Sequence, residues 1–94
     1  KLGDVLDSDM GEYRVVFARS AARELRALNA VIAARILERI EALTRDARPS
    51  GCRKIRGSAG LYRIRVGEYR IVYEVDDGEK LVDVMAVRHR QDAY

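Results

Sequence analysis

Ninety-four residues, 48% of them hydrophobic and 35% charged, make one modest core and exclude both a second domain and wholesale disorder. The net charge is +3, no apolar run approaches the roughly 18 residues of a membrane span, and no basic-then-apolar leader opens the chain. Cys52 is the single cysteine and His89 the single histidine, which excludes an internal disulfide, leaves too few soft ligands for structural zinc, and points to a reducing, cytoplasmic setting without metal or cofactor.

Residues 1–12 are polar, with weak helical spacing at Leu2, Val5 and Leu6, and read as an extension or expression remnant outside the core. The domain proper then spans 13–94. It starts with a β-branched and aromatic strand over 13–18. Ser20 is placed to cap a helix whose apolar stripe is Ala21, Leu25 and Leu28. Asn29 caps a second helix that runs to about Thr44 or Ala47, with Ile32, Ile36, Ile40 and Leu43 as its stripe, widened by Ala33 and Leu37. Two helices with almost no loop between them fold back as a hairpin, and their stripes belong to the core.

Pro49 and Gly51 end the second helix, and a basic connector follows with Arg53, Lys54 and Arg56. Residues 61–75 alternate apolar and polar on either side of Gly67-Glu68, the composition of a two-residue type II′ hairpin turn. That turn sets Val66 against Tyr69, Arg65 against Arg70, Ile64 against Ile71 and Arg63 against Val72. Tyr62, Ile64, Val66, Tyr69, Ile71, Tyr73 and Val75 then cover a core, and Arg63, Arg65 and Arg70 share the opposite face. A turn over 76–79 leads to a nearly all-apolar last strand over 81–87, which belongs inside the sheet. The order β-α-α-β-β-β is that of a small antiparallel sheet with a helical hairpin on one face, class α+β.

Charge is unevenly spread. Arg48, Arg53, Lys54, Arg56, Arg63, Arg65 and Arg70 face only Glu68 among the acids of that stretch. Opposed like charges destabilise a sheet, so a hairpin that sets Arg65 against Arg70 is built for an anion, and guanidinium forks suit phosphate. A surface ion-pair ladder from Glu74, diagonal to Arg63, is the competing reading. Arg90 ends the adjoining strand, with His89 and Tyr94 near it. Tyr94 can stack a base, and histidine, which ordinarily changes charge near neutral pH, makes His89 the default proton carrier, unless it is simply a strand-end residue.

From about residue 13 to 94 the chain resembles the RelE/ParE superfamily of bacterial toxins from toxin–antitoxin pairs. The resemblance rests on the strand and helical hairpin at the start, on Leu-Tyr-Arg-Ile-Arg-Val-Gly-Glu-Tyr-Arg-Ile-Val-Tyr at 61–73, and on Val-Arg-His-Arg-Gln-Asp-Ala-Tyr at 87–94. It implies a ligand surface opposite the helices. In the RelE branch that surface cleaves mRNA in the ribosomal A site without a metal; in the ParE branch the same fold poisons DNA gyrase. Arg63, Arg65, Arg70, Arg90 and Tyr94 match the basic and tyrosine positions of the RelE branch, which favours an endoribonuclease over a gyrase inhibitor or a catalytically silent homologue. Arg63 and Arg65 stand where some relatives have lysine, and arginine stays protonated, so the proton acceptor's role does not transfer to them.

The implied reaction is attack of a ribose 2′-OH on the adjacent phosphate. Arg65 and Arg70 are assigned to the phosphate, Arg90 to the phosphate or leaving group, Tyr94 to stacking and His89 to proton transfer. Arg63, Arg53, Lys54 and Arg56 are assigned to the RNA backbone. The resemblance further implies a cognate antitoxin that folds on the toxin, contact with promoter DNA only through that antitoxin, and no membrane partner.

Overall fold

The computed structural model describes residues 5–6 and 12–92. The strands are β1 (Val5–Leu6), β2 (Arg14–Phe17), β3 (Arg53–Lys54), β4 (Leu61–Val66), β5 (Tyr69–Asp76) and β6 (Leu81–His89); the helices are α1 (Arg19–Arg26) and α2 (Ala30–Ala42). A 3-10 turn, Arg90–Asp92, follows β6. Among the described residues no helix is long and apolar enough to cross a membrane.

The β4–β5 hairpin takes the register its alternation dictates: Val66 opposite Tyr69, Arg65 opposite Arg70, Ile64 opposite Ile71 and Arg63 opposite Val72. Gly67 carries the turn at φ +60°, where a β-carbon is strained, and Glu68 stays at negative φ, as a type II′ turn requires. Ile64, Val66, Ile71, Tyr73 and Val75 are buried on one face, with Tyr62 and Tyr69 half-buried beside them.

The sheet order is β1-β2-β6-β5-β4-β3. β4 to β6 form the expected antiparallel meander with β6 inside the sheet, and Arg53–Lys54, read from the sequence as connector, adds β3 as an antiparallel edge strand on β4. β2 departs from that pattern by lying parallel to β6. Only a tight turn forces neighbours to be antiparallel; the long excursion through both helices leaves β2 free to pair in the other sense. The backbone of Val5–Leu6 adds an antiparallel rung to β2, opposite Val16 and Val15.

The N-cap of α1 is a correction. Ala18 occupies the cap, and its N–H donates to Val84 O at 2.8 Å as the last rung between β2 and β6. The chain therefore turns from strand directly into helix, and Ser20 lies one residue inside it. Its hydroxyl donates to Met85 O at 3.5 Å. For α2 the cap is the expected one: Asn29 Oδ1 accepts from Ile32 N at 3.0 Å. Helix α2 stops at Ala42, earlier than its apolar stripe suggested, and Thr44 O accepts from the N–H groups of Glu12 and Tyr13. The end of α2 thus anchors the entry to β2.

Both helices pack on the same side of the sheet. Ile36 and Ile40 of α2 and Ala21 and Leu25 of α1 meet Val15, Ile64, Ile71, Tyr73, Val82 and Val84 in one core. Each of the Val, Leu and Ile side chains among them contributes about 1.5–3 kcal/mol through burial. Tyr73, fully buried, donates its hydroxyl proton to Ala47 O at 2.9 Å, so the one polar atom it brings inside is satisfied.

One irregularity decides what faces the open side. Val72 pairs with Ala86 but Tyr73 pairs with Val84, leaving Met85 as an extra residue in β6. Side chains alternate along a strand, so a single inserted residue inverts the phase of everything beyond it. Before the bulge Val82 and Val84 face the core; after it Val87 and His89 do, and Arg88 turns outward.

Candidate functional site

Register places the outward side chains in bands across the sheet. Arg65, Arg70 and Arg88 form one band over β4, β5 and β6. Arg53, Arg63, Val72 and Ala86 form the next. Leu61, Glu74, Asp83 and Val16 form a third. Three arginines aligned by register, with a further pair alongside, concentrate positive charge on a face that carries none of the core.

Gly51, Arg53, Arg63, Arg65 and Arg70 line a cleft of about 110 Å³, room for several waters or one small anion. A second depression beside it is lined by Arg53, Lys54, Ile55, Arg56 and Arg63. Lys54 pairs with Tyr62 and so leaves the backbone on the helix side of the edge strand. Arg65 is exposed and makes no ion pair among the described residues. Glu74 likewise makes none, so the ion-pair ladder expected as the competing reading is not formed by these residues.

Arg48, counted with the basic stretch, is committed elsewhere. Its two Nη groups donate to the Asp77 carboxylate at 3.2 and 2.8 Å, and its Nε donates to the Tyr62 hydroxyl at 2.9 Å. Tyr13 donates to Asp77 Oδ1, the oxygen that also accepts the 3.2 Å bond from Arg48, at 2.6 Å. The Arg48 and Tyr13 hydrogen bonds hold the Asp77 carboxyl at about 2, and the bond to Asp77 raises Tyr13. This clamp ties β2, β4 and the β5–β6 turn at the end of the sheet away from Gly67. On the open face, burial, with Glu74 opposite, lifts the Asp83 carboxyl above its ordinary range.

The three C-terminal residues expected at the site part company. His89 is opposite Tyr69, its ring edge-on to that ring at 5.2 Å, and its Nδ1 accepts from Gln91 N at 3.1 Å. It thus lies on the helix side rather than with the arginines, because the bulge at Met85 inverted the phase of β6. Arg90 N donates to Glu68 O at 2.7 Å and its Nε pairs with Glu68 Oε1 at 2.8 Å, which fastens the end of β6 to the hairpin turn. Tyr94 lies outside the described residues.

Arg88 takes the place that strict alternation denied it. Counting from Val82 and Val84 in steps of two sends Arg88 into the core, an arrangement its charge forbids, and that conflict was the available signal. Among the described residues no group of three or more His, Cys, Asp and Glu side chains could hold a metal ion. The face offers fixed positive charge and directional N–H donors. It suits recognition of a phosphodiester and stabilisation of charge that develops on it.

Residues 15–94 match the family model described as the ParE toxin of type II toxin–antitoxin system, parDE. The chain is 33% identical over 88 residues to the toxin RelE of Mycobacterium tuberculosis, covering 93% of this chain and 91% of that one. It is 35% identical over 83 residues to the toxin RelG of the same organism, covering 87% and 95%. A solved RelE–RelB complex from Pyrococcus horikoshii contains a chain that superposes with a TM-score of 0.76 at 28% identity, covering 87% of this chain and 99% of that one.

Proposed function

The chain belongs to the RelE/ParE superfamily of type II toxin–antitoxin toxins, and from that premise we propose that it is a ribosome-dependent endoribonuclease that cleaves translated mRNA without a metal. The observation that carries the reading is the band Arg65–Arg70–Arg88 on the open sheet face, with Arg53 and Arg63 beside it.

Attack of a ribose 2′ oxygen on the adjacent phosphorus forms a phosphorane, expels the 5′ oxygen of the next nucleotide and leaves a 2′,3′-cyclic phosphate. The negative charge that builds on the phosphorane oxygens is met by Arg65, Arg70 and Arg88, each such donor being worth about 2.7–4 kcal/mol in the transition state. Arg53, Arg63, Lys54 and Arg56 track the flanking backbone through charge. Tyr94 stacks the nucleotide beside the cut. Arg90 braces the hairpin turn through Glu68 and presents its remaining N–H groups at the same end of the face.

Guanidinium stays protonated and does not accept the 2′ proton. With His89 turned toward Tyr69, this chain supplies charge and positioning, and proton carriers come from the ribosome that presents the mRNA. The partner that silences the toxin is a cognate antitoxin, a flexible segment that folds on the toxin surface. Promoter DNA is contacted through that antitoxin.

Induction of the isolated gene tests the reading. Cleaved transcripts with cuts in codon register are expected. The match to a ParE model favours one other reading, a gyrase-poisoning toxin, and intact mRNA alongside gyrase-linked double-strand breaks would establish that reading instead.

A further inference from the structure

Strand β6 outruns its neighbour. β2 ends at Phe17 opposite Val84, whereas β6 continues to His89. Among the described residues, 85–89 therefore present an edge with no strand beside it, and unpaired edge groups are costly unless something satisfies them. Helix α1 supplies the partners. Ser20 and Glu24, one turn apart and so on the same side of α1, reach that edge together. Ser20 Oγ donates to Met85 O at 3.5 Å, and Glu24 Oε1 accepts from Val87 N at 2.8 Å.

The second carboxylate oxygen of Glu24 accepts from Arg88 Nε at 3.0 Å. We propose that Glu24 is a positioning residue for the arginine face: fixed by the Val87 N–H, its carboxylate holds the Arg88 guanidinium at the sheet edge by Nε alone and leaves both Nη groups to the anion. The inference rests on the reading of that face as the RNA-cleaving surface.

An exposed ion pair is ordinarily a weak constraint, because two long side chains must be ordered to make it. Here one of the two is already ordered. The Glu24 side chain is 28% exposed and tied to backbone, while Arg88 is 49% exposed and held only at Nε among the described residues. The arrangement also solves an electrostatic problem. Arg70 stands directly opposite Arg88, a like-charge pairing that sheets disfavour, and Glu24 supplies a countercharge on the Arg88 side.

Glu24→Gln separates the two bonds, since the amide oxygen still accepts from Val87 N–H while the carboxylate charge that holds Arg88 is gone. In the isotope-labelled free protein, the Arg88 Nε–H signal, assigned by its loss in Arg88→Ala, is expected to exchange slowly in the parent and fast in Glu24→Gln. Val87 amide protection should be retained in that variant. Unchanged Arg88 exchange would overturn the proposal.

On programmed ribosomes, Glu24→Gln should lower the single-turnover cleavage rate by roughly tenfold to a hundredfold, the usual cost of a misplaced catalytic group, with ribosome affinity unchanged. In an Arg88→Ala background it should have no further effect. Equal losses in both backgrounds would also overturn the proposal. A parent protein that cleaves nothing would sink the nuclease reading, and the exchange measurement would still decide whether Glu24 holds Arg88.

Discussion

Arg65→Gln should make the free protein more stable while disabling it. Arg65 and Arg70 sit one rung from a two-residue turn. The residues flanking such a turn exchange both backbone hydrogen bonds, so the next pair is a non-hydrogen-bonded one, with Cα atoms only about 4.5 Å apart and side chains close. Even if the guanidinium groups splay to about 7 Å in water, their repulsion is about 0.6 kcal/mol. That agrees with the roughly 0.2–1 kcal/mol scale of directly opposed cross-strand charges. Taking about 0.5 kcal/mol, and about 4–8 °C per kcal/mol for a domain of this size, the melting temperature should rise by about 2–4 °C.

Calorimetry of the antitoxin-free protein at low salt measures this. The gain should vanish near 1 M salt, where the screening length falls to about 3 Å. Cleavage on programmed ribosomes should fall by about 10²-fold in the same variant. A melting temperature that drops, or a rise that survives high salt, would refute the idea that the hairpin carries electrostatic stress for the sake of an anion.

The remaining predictions divide between the site and the scaffold. Arg70→Ala should lower cleavage by about 10²–10³-fold while leaving antitoxin binding in place, as read by single-turnover kinetics and titration calorimetry; unaltered kinetics would remove the band from the mechanism. Tyr73→Phe leaves the Ala47 carbonyl without its buried donor and should cost about 1–2 kcal/mol in urea unfolding. The two perturbed aspartates act in opposite senses. Asp77 has a depressed folded-state value, so its contribution is complete above its ordinary value of 3.8 and is lost as pH falls toward about 2. Asp77→Asn should flatten the urea midpoint over that acid range. Asp83 has a raised value, so its charged form weakens the fold as pH climbs through the folded-state value, and Asp83→Asn should raise the midpoint at neutral pH.

The hairpin was legible because two independent signals agreed, strict alternation over residues 61–75 and a glycine-first turn that fixes register. The α2 cap was legible for the same kind of reason: Asn29 is both a good cap and correctly spaced from the apolar stripe. The C-terminal half of the site was not. Nothing in the nearly all-apolar run 81–87 marks Met85 as the inserted residue, because Val84 and Ala86 on either side of it are also apolar and the bulge follows from fitting β6 against β5 and β2 together. That insertion exchanged the places of His89 and Arg88. The role of Glu24 was hidden because it depends on β2 being shorter than β6, a difference between strands far apart in the chain. Parallel pairing of β2 escaped notice because local pattern carries no direction.

Alternation within β4 and β5 has a consequence for descent. Ile64, Ile71 and Tyr73 are held by packing, whereas Arg63, Arg65 and Arg70, interleaved with them in the chain, alternate to the opposite face. Codons next to one another therefore answer to unrelated demands. A lineage can rewrite outward positions of the hairpin while keeping its buried ones, and so can change what its sheet recognises while inheriting the core intact.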